Sequence, residues 1–167
     1  MVDCPLCAPL QDKKDEIVWQ DRYCRVIHVA DPGSSADSST DSFINSFISY
    51  PGYYRVIWAA HVAEMSDLTL PEQHHLMNVV FAVERSLRTL MNPDKINLAS
   101  FGNIVPHVHW HIIARYADDR HFPESIWGQA QRSGCAHAAP DRVTMSRQIA
   151  SGLESRQPTT PLCPELS

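Results

Sequence analysis

Alternating apolar and polar residues divide the chain into short strand-like runs around one long helical pattern. Five runs are rich in β-branched and aromatic residues and have the length of strands. They cover residues 16–20, 24–29, 53–59, 95–100 and 108–114. The polar pair Asp21-Arg22 between the first two runs indicates a hairpin. The predicted order is therefore strands, one helix, strands.

The helical pattern begins at Thr69, which forms a capping-box pair with Glu72, and Pro71 is tolerated in the first turn. Asn92-Pro93 ends it. Between these limits, apolar residues recur at three- and four-residue steps, as expected for a helix with one buried face. They are Leu76, Val79, Val80, Val83, Leu87 and Leu90. A weaker helical pattern covers residues 141–153.

Two segments differ in composition from the rest. Residues 32–51 begin with a Ser-rich stretch, and because structureless loops above about 15 residues are uncommon in compact domains, we expect an insertion there. From residue 129 onward Gly, Pro, Ser and Thr dominate. We therefore expect a domain over residues 1–128 with the insertion at about 32–51, and a partly disordered C-terminal extension over 129–167.

Length and charge limit the classes of protein that fit. A chain of 167 residues with 44% hydrophobic content suits one globular domain. The net charge is −5 and no basic stripe is present, so we expect a small-molecule partner rather than nucleic acid. No apolar run approaches the roughly 20 residues that span a bilayer, and the first residues lack a signal-peptide pattern. We expect a cytoplasmic protein with no membrane contact.

Three histidines alternate along the last predicted strand, at His107, His109 and His111. Alternate residues of a strand lie on one face, so the three imidazoles share a face that is backed by apolar residues. A single histidine on a half-exposed strand is commonly just tolerated, but three in strict alternation call for a chemical explanation. Two explanations stay open: a metal site built from several histidines, or a nucleophilic imidazole flanked by groups that bind an anion.

The cysteines give a second candidate site. Cys4 and Cys7 form a Cys-x-x-Cys pair, whereas the other three of the five cysteines stand alone, which disfavours a disulfide framework. In a reducing compartment such a pair is either half of a zinc site or a redox dithiol. A redox pair usually follows a strand, and none is predicted before Cys4. A zinc site would need two more ligands.

These residues together resemble the histidine triad (HIT) family of nucleotide hydrolases and transferases. Its signature, His-x-His-x-His followed by two apolar residues, is matched by residues 107–113. The resemblance runs from residue 4 to about 127 if the insertion is skipped. It includes Cys4-Pro5-Leu6-Cys7, Val56-Ile57 before His61, the long helix and Gly102-Asn103 before the triad. It implies an α+β fold, with a mainly antiparallel sheet of about five strands and one long helix, paired into a homodimer.

The resemblance also implies residue roles. His109 would be the nucleophile that attacks the α-phosphate of a purine nucleotide or dinucleotide, forming a nucleotidyl-histidine intermediate. His111 would donate to the phosphate oxygens. The remaining catalytic and substrate-binding positions carried over from the family are His107, Asn97, Gly102, Asn103 and Asp31.

In the zinc-bearing branch of the family, a Cys-x-x-Cys near the N-terminus, a histidine after the third strand and the first triad histidine hold the metal. Here these residues are Cys4, Cys7, His61 and His107. The resemblance thus implies a closed structural zinc site, which would anchor the N-terminus and fix the ring of His107.

Two departures from the family pattern bear on substrate choice and rate. Tyr53 stands where many members have a histidine, and Ile104 stands where many have Ser or Thr. Three functions therefore stay open for this chain. The first is a hydrolase acting on a dinucleoside polyphosphate, such as a diadenosine tetraphosphate, or on a nucleoside phosphoramidate. The second is a nucleotide- or partner-binding module with little turnover. The third is a metalloenzyme in which the three triad histidines hold one ion, a scheme that leaves the Cys-x-x-Cys pair without a purpose.

Overall fold

The computed structural model describes residues 4–7, 17–29 and 50–155. These residues form an antiparallel five-stranded sheet in the order β1-β2-β3-β5-β4. The strands are β1 (Ile17–Gln20), β2 (Cys24–His28), β3 (Tyr53–Trp58), β4 (Lys95–Ala99) and β5 (His109–Arg115). All five predicted strands are confirmed, as is the α+β class with a mainly antiparallel sheet.

The two predicted helices are also confirmed. The first, α1 (Leu70–Met91), begins after Thr69, whose backbone N–H donates to Oε2 of Glu72 at 2.8 Å. It ends at Asn92, which adopts a left-handed conformation with φ of 46°. The second, α2 (Arg142–Glu154), begins after Asp141, whose carboxylate accepts from the backbone N–H of Thr144 at 3.0 Å.

Both helices cover one face of the sheet, and this contact forms the main core. Every second residue of the central strands points into it, as the period of a strand requires. The core includes Val26, Tyr54, Val56 and Ile112 from the sheet, Leu76, Val80, Val83 and Leu87 from α1, and Met145 and Ile149 from α2. At Gly52 a Cβ atom would lie 2.6 Å from Cβ of Ala114, so only glycine fits where the chain enters β3.

The opposite face of the sheet carries most of the candidate chemistry. In the register of β3 against β5, Arg55 pairs with His111 and Ile57 pairs with His109. On the other side of β5, Asn97 pairs with Ile113. Side chains of paired residues point to the same face. We call this the polar face; its polar members are Gln20, Arg25, Tyr53, Arg55, Lys95, Asn97, His109, His111 and Arg115.

Several predictions lie outside the described residues. Asp31 and nearly all of the expected insertion belong to the undescribed segment 30–49. The C-terminal extension is described only as far as residue 155, and its helix α2 contributes to the core. The domain boundary at residue 128 and the homodimer stay predictions. Among the helices of the described ranges, none is both long and apolar enough to cross a lipid bilayer.

Candidate active site

Two cysteines and two histidines converge beside the end of β3. Sγ of Cys7 lies 3.2 Å from Nδ1 of His61 and 3.4 Å from Nδ1 of His107. Sγ of Cys4 lies 3.6 Å from the same His107 nitrogen. The four potential ligand atoms all lie within 4.8 Å of one another. We call these residues, Cys4, Cys7, His61 and His107, the thiol-imidazole cluster.

The spacing of this cluster fits a tetrahedral metal ion. With Zn–S near 2.3 Å and Zn–N near 2.05 Å, a sulfur and a nitrogen on one tetrahedron lie about 3.6 Å apart. The observed separations of 3.2 to 3.6 Å are close to that edge. Nε2 of His107 lies 2.7 Å from the carbonyl oxygen of Trp58, which can only accept. His107 therefore carries its proton on Nε2 and directs the Nδ1 lone pair at the thiols, the usual orientation of a metal-ligating histidine.

His109 has its ring fixed by the backbone. Nδ1 of His109 lies 2.6 Å from the carbonyl oxygen of His107, so Nδ1 is the donor and the lone pair of the neutral ring is on Nε2. Only 7% of the residue is exposed. Burial lowers the pKa of His109, opposed by the hydrogen bond to His107 and assisted by the positive charge of Arg55. The ring is therefore neutral near pH 7, with a nucleophilic nitrogen.

His111 is neutral as well, and its partner is a side chain. Nδ1 of His111 lies 2.6 Å from the hydroxyl of Tyr53. Burial lowers the pKa of His111 to about 3, with further contributions from the positive charges of Arg55 and of protonated His109. The two rings lie 4.9 Å apart between centroids and are nearly perpendicular. A substrate near His109 would therefore also meet His111.

Arg55 supplies a positive charge to the polar face. Its Nε and Nη2 atoms lie 3.4 and 3.3 Å from the hydroxyl oxygen of Tyr53, which accepts from them. The pKa of the Tyr53 hydroxyl is raised, mainly by burial, so the hydroxyl keeps its proton. Because Arg55 can only donate, the hydroxyl can in turn donate this proton to Nδ1 of His111, 2.6 Å away. His111 then carries its own proton on Nε2 and can donate it elsewhere.

Two exposed aromatic rings lie next to His111. Phe101 and Trp127 are 48% and 43% exposed, and their ring centroids lie 4.9 Å apart. The Trp127 ring lies 5.3 Å from the His111 ring and the Phe101 ring 5.9 Å from it. Exposed aromatic surface beside polar groups is typical of a binding site for a flat apolar group such as a base.

The loop that follows β5 and leads to Trp127 is held by a buried ion pair. Nε of Arg115 donates to Asp119 at 2.7 Å, and Nη2 donates to the Glu124 carbonyl at 2.7 Å. The Asp119 carboxylate also accepts from the backbone N–H groups of residues 116, 121 and 122. Burial raises the pKa of Asp119, but the bonds and charge of Arg115 outweigh burial and lower it overall. The loop is thus organised around one carboxylate.

The predicted substrate-binding residues lie in different places. Gly102 and Asn103 line a cleft of about 460 Å³ together with His107 and Phe101. Oδ1 of Asn97 instead accepts from Nη1 of Arg115 at 2.5 Å, so this amide is engaged by the ion pair and its role as a phosphate donor stays a prediction. The three triad histidines are not among the described groups whose ligand atoms converge, which disfavours the metalloenzyme in which they share one ion.

The sequence did not predict the contact between Tyr53, Arg55 and His111. Strand alternation already places Tyr53 and Arg55 on one face of β3. The pairing of Arg55 with His111 depends on the register between β3 and β5, whose paired residues are 52 to 60 positions apart in sequence and are joined through α1 and β4. The sequence therefore indicates that Tyr53 and Arg55 share a face, but it does not indicate their contact with His111.

Comparison with known sequences identifies the family. The HIT domain family matches residues 35–118, about half of the chain. Over 72 residues the chain is 33% identical to a bis(5'-adenosyl)-triphosphatase of Saccharomyces cerevisiae. That match covers 40% of this chain and 35% of the yeast protein, so it spans about a third of the length of that relative.

Comparison with solved structures gives the same fold. A histidine triad protein from Bradyrhizobium japonicum has a TM-score of 0.56 and 25% identity, over 90% of this chain and 98% of that one. A histidine triad protein from Sinorhizobium meliloti 1021 has a TM-score of 0.57 and 24% identity, over 82% of this chain and 88% of that one. With the family match and the geometry of residues 107–111, these similarities place the chain in the HIT domain family.

Proposed function

We propose that this protein is a nucleotide hydrolase or transferase that cleaves its substrate at the α-phosphate through a covalent intermediate on His109. The observation that carries the proposal is the state of the His109 ring. It is buried and neutral, with Nδ1 donating to the His107 carbonyl and the lone pair left on Nε2. A fixed neutral imidazole is a competent nucleophile near pH 7.

In the first step, the Nε2 lone pair of His109 forms a bond to the α-phosphorus, and the bond from phosphorus to the leaving group breaks. The leaving group takes that electron pair with it. The ring becomes positively charged, and the bond from Nδ1 to the His107 carbonyl, 2.6 Å long, stabilises this charge. In the second step, water attacks the same phosphorus, the phosphorus–nitrogen bond breaks, and a nucleoside monophosphate and a proton are released.

His111 acts on the phosphate in this scheme. Its Nε2–H group faces no acceptor among the described residues, and a pKa near 3 keeps the ring a neutral donor. Donation to a phosphate oxygen strengthens as charge develops on it in the transition state. Asn103, at the rim of the neighbouring cleft, is a second candidate donor.

The substrate class proposed is a dinucleoside polyphosphate or a nucleoside phosphoramidate with a purine base. The name of the yeast relative, a bis(5'-adenosyl)-triphosphatase, supports the first of these over the 72 residues that match. The exposed rings of Phe101 and Trp127 offer a surface for a base beside His111.

We further propose that the thiol-imidazole cluster holds a structural Zn²⁺ ion. The ligands would be Cys4, Cys7, His61 and His107, and the support is the donor set and the spacing that matches a tetrahedral edge. Zinc bound there supplies a cross-link between the N-terminal segment and the strand that carries the triad. The hydrogen bond from His107 to the Trp58 carbonyl fixes the orientation of that ligand.

The His109→Ala variant tests the catalytic proposal. The wild type and the variant are incubated with diadenosine triphosphate, diadenosine tetraphosphate and adenosine phosphoramidate, and the release of AMP and a trapped adduct are measured by mass spectrometry. We expect AMP from the wild type, an adenylylated peptide containing His109, and a loss of at least about 10³-fold in the variant. His74→Ala, an exposed histidine on α1, is the matched control and should keep full activity.

Turnover that survives His109→Ala contradicts the nucleophile assignment. A wild type that binds nucleotides but releases no AMP from any of the three substrates supports the binding module instead. The departure at Tyr53, which lies next to His111, is the observation that keeps that second function open.

Metal analysis and thermal unfolding test the zinc proposal. We expect one zinc per chain in the purified protein, and a lower melting temperature after treatment with a chelator. Cys7→Ser should lower the zinc content and the melting temperature. Cys135→Ser replaces an exposed cysteine outside the cluster and should change neither quantity. Metal-free protein with an unchanged melting curve in chelator would contradict the proposal.

A further inference from the structure

Arg55 places a guanidinium group beside the two histidines of the candidate active site. In the sheet it pairs with His111. Its Nε and Nη2 atoms approach the Tyr53 hydroxyl to 3.4 and 3.3 Å, and the same hydroxyl lies 2.6 Å from Nδ1 of His111. One oxygen atom therefore separates the guanidinium from the His111 ring.

No acidic side chain neutralises Arg55 within the described residues. The ion pairs between those residues join His75 to Asp21, Arg115 to Asp119, and His137 to Asp118. The His111 imidazole beside Arg55 is neutral, because burial, together with the charge of Arg55, lowers its pKa to about 3. A half-buried cation without a counter-ion is unfavourable, and an anion bound at the site would relieve that cost.

The guanidinium also has donors to spare. Two of its nitrogen atoms are directed at the Tyr53 hydroxyl, while Nη1 contacts no acceptor among the described residues. A guanidinium presents several N–H groups in one plane, a geometry that suits a phosphate group. Arg55 can therefore keep its bond to Tyr53 and still bind an anion.

The position of Arg55 relative to His109 indicates which phosphate it would meet. His109 pairs with Ile57, two residues further along β3 than Arg55. Two residues of a strand span about 7 Å. An anionic group bound by Arg55 would thus lie on the His111 side of a phosphate in contact with His109.

We propose that Arg55 is a specificity-determining residue that binds the phosphate group next to the one attacked by His109. On this basis the enzyme selects nucleotides with two or more linked phosphates, such as dinucleoside polyphosphates, over nucleoside phosphoramidates, whose leaving group carries no phosphate. The inference rests on the proposed function for the place of the α-phosphate, and it names the substrate class of that site.

The Kd values of two adenine nucleotides, measured by isothermal titration calorimetry, test the inference without requiring turnover. AMP carries one phosphate, and α,β-methylene-ADP carries a second phosphorus group through a methylene bridge that cannot be hydrolysed as the natural phosphoanhydride is. For Arg55→Gln we expect the Kd for α,β-methylene-ADP to rise about 10- to 100-fold, the range for a lost hydrogen bond to a charged group, and the Kd for AMP to rise less than about threefold. Arg147→Gln, an exposed arginine on α2, is the matched control and should change neither.

Two results would overturn the inference: an equal weakening of both nucleotides by Arg55→Gln, or no weakening of α,β-methylene-ADP. If Arg55→Gln does not fold, Arg55→Lys keeps the charge without the planar fork, and a selective rise in the Kd for α,β-methylene-ADP is still expected. The proposed function fails separately, through turnover that survives His109→Ala or an inactive wild type. The ratio of the Kd values for α,β-methylene-ADP and AMP can be measured whether or not the proposed function fails.

Discussion

Replacing Arg115 by Met would leave the carboxylate of Asp119 buried without its cation. The two side chains are 1% and 2% exposed, and Arg115 donates to Asp119 through Nε at 2.7 Å and Nη2 at 3.0 Å. Breaking a buried ion pair from one side typically costs about 3 to 5 kcal/mol. Three backbone N–H groups remain on the carboxylate, so we expect the lower end, about 3 kcal/mol.

For a domain of this size each kcal/mol corresponds to about 2 to 4 °C, so Arg115→Met should lower the melting temperature by about 6 to 12 °C. Thermal unfolding followed by circular dichroism, together with urea unfolding, measures the change. Arg147→Met, at an exposed position on α2, controls for the loss of an arginine in general and should shift the melting temperature by less than about 2 °C.

The double variant Arg115→Met/Asp119→Asn separates the charge effect from the loss of packing. Asn keeps an oxygen for the backbone N–H groups but carries no charge, so the double variant should be at least about 1 kcal/mol more stable than Arg115→Met alone. The reasoning is refuted if Arg115→Met costs less than about 1 kcal/mol, or if the double variant is the least stable of the three proteins.

Two further predictions concern Asp119 and Tyr53. The folded state lowers the pKa of Asp119, so the stabilising contribution of this carboxylate is present above its ordinary pKa of 3.8 and is lost as the pH falls through the folded value. Below about pH 4 the melting temperature of the wild type should therefore fall more steeply with pH than that of Asp119→Asn. Parallel curves of melting temperature against pH would contradict this. Tyr53→Phe removes the hydroxyl between Arg55 and His111, so steady-state kinetics should show kcat reduced about 3- to 10-fold with KM nearly unchanged. Tyr53→His restores a polar partner and should recover part of the lost kcat. An equal loss of kcat in both variants would contradict a positioning role for Tyr53.

The elements of this fold could be predicted because their signals are local. The start of α1 is determined by Thr69 and Glu72 and its end by Asn92, which lie within one turn of the helix limits. Strand alternation likewise placed His109 and His111 on one face before any partner strand was known. These signals do not depend on distant parts of the chain.

The contacts that give the site its chemistry depend on pairs of residues far apart in sequence. The approach of Arg55 to His111 requires the register between β3 and β5. The engagement of Asn97 by Arg115 requires the register between β4 and β5, and it brings the amide oxygen of Asn97 to the buried ion pair. Neither register can be read from the hydrophobic pattern alone, since that pattern fixes which face is buried but leaves strand partners open.

The three triad histidines differ in chemistry because each has one ring nitrogen fixed by a different acceptor or donor. Nε2 of His107 donates to the Trp58 carbonyl, which turns Nδ1 toward the thiols. Nδ1 of His109 donates to the His107 carbonyl, which leaves the lone pair of the neutral ring on Nε2. Nδ1 of His111 accepts a hydrogen bond from the Tyr53 hydroxyl, which leaves its Nε2–H as a donor. Two of these three partners are backbone carbonyls that no side-chain substitution removes, whereas the third is a side chain. Variation at Tyr53 is therefore the route by which the chemistry of His111 can change while His107 and His109 keep their roles.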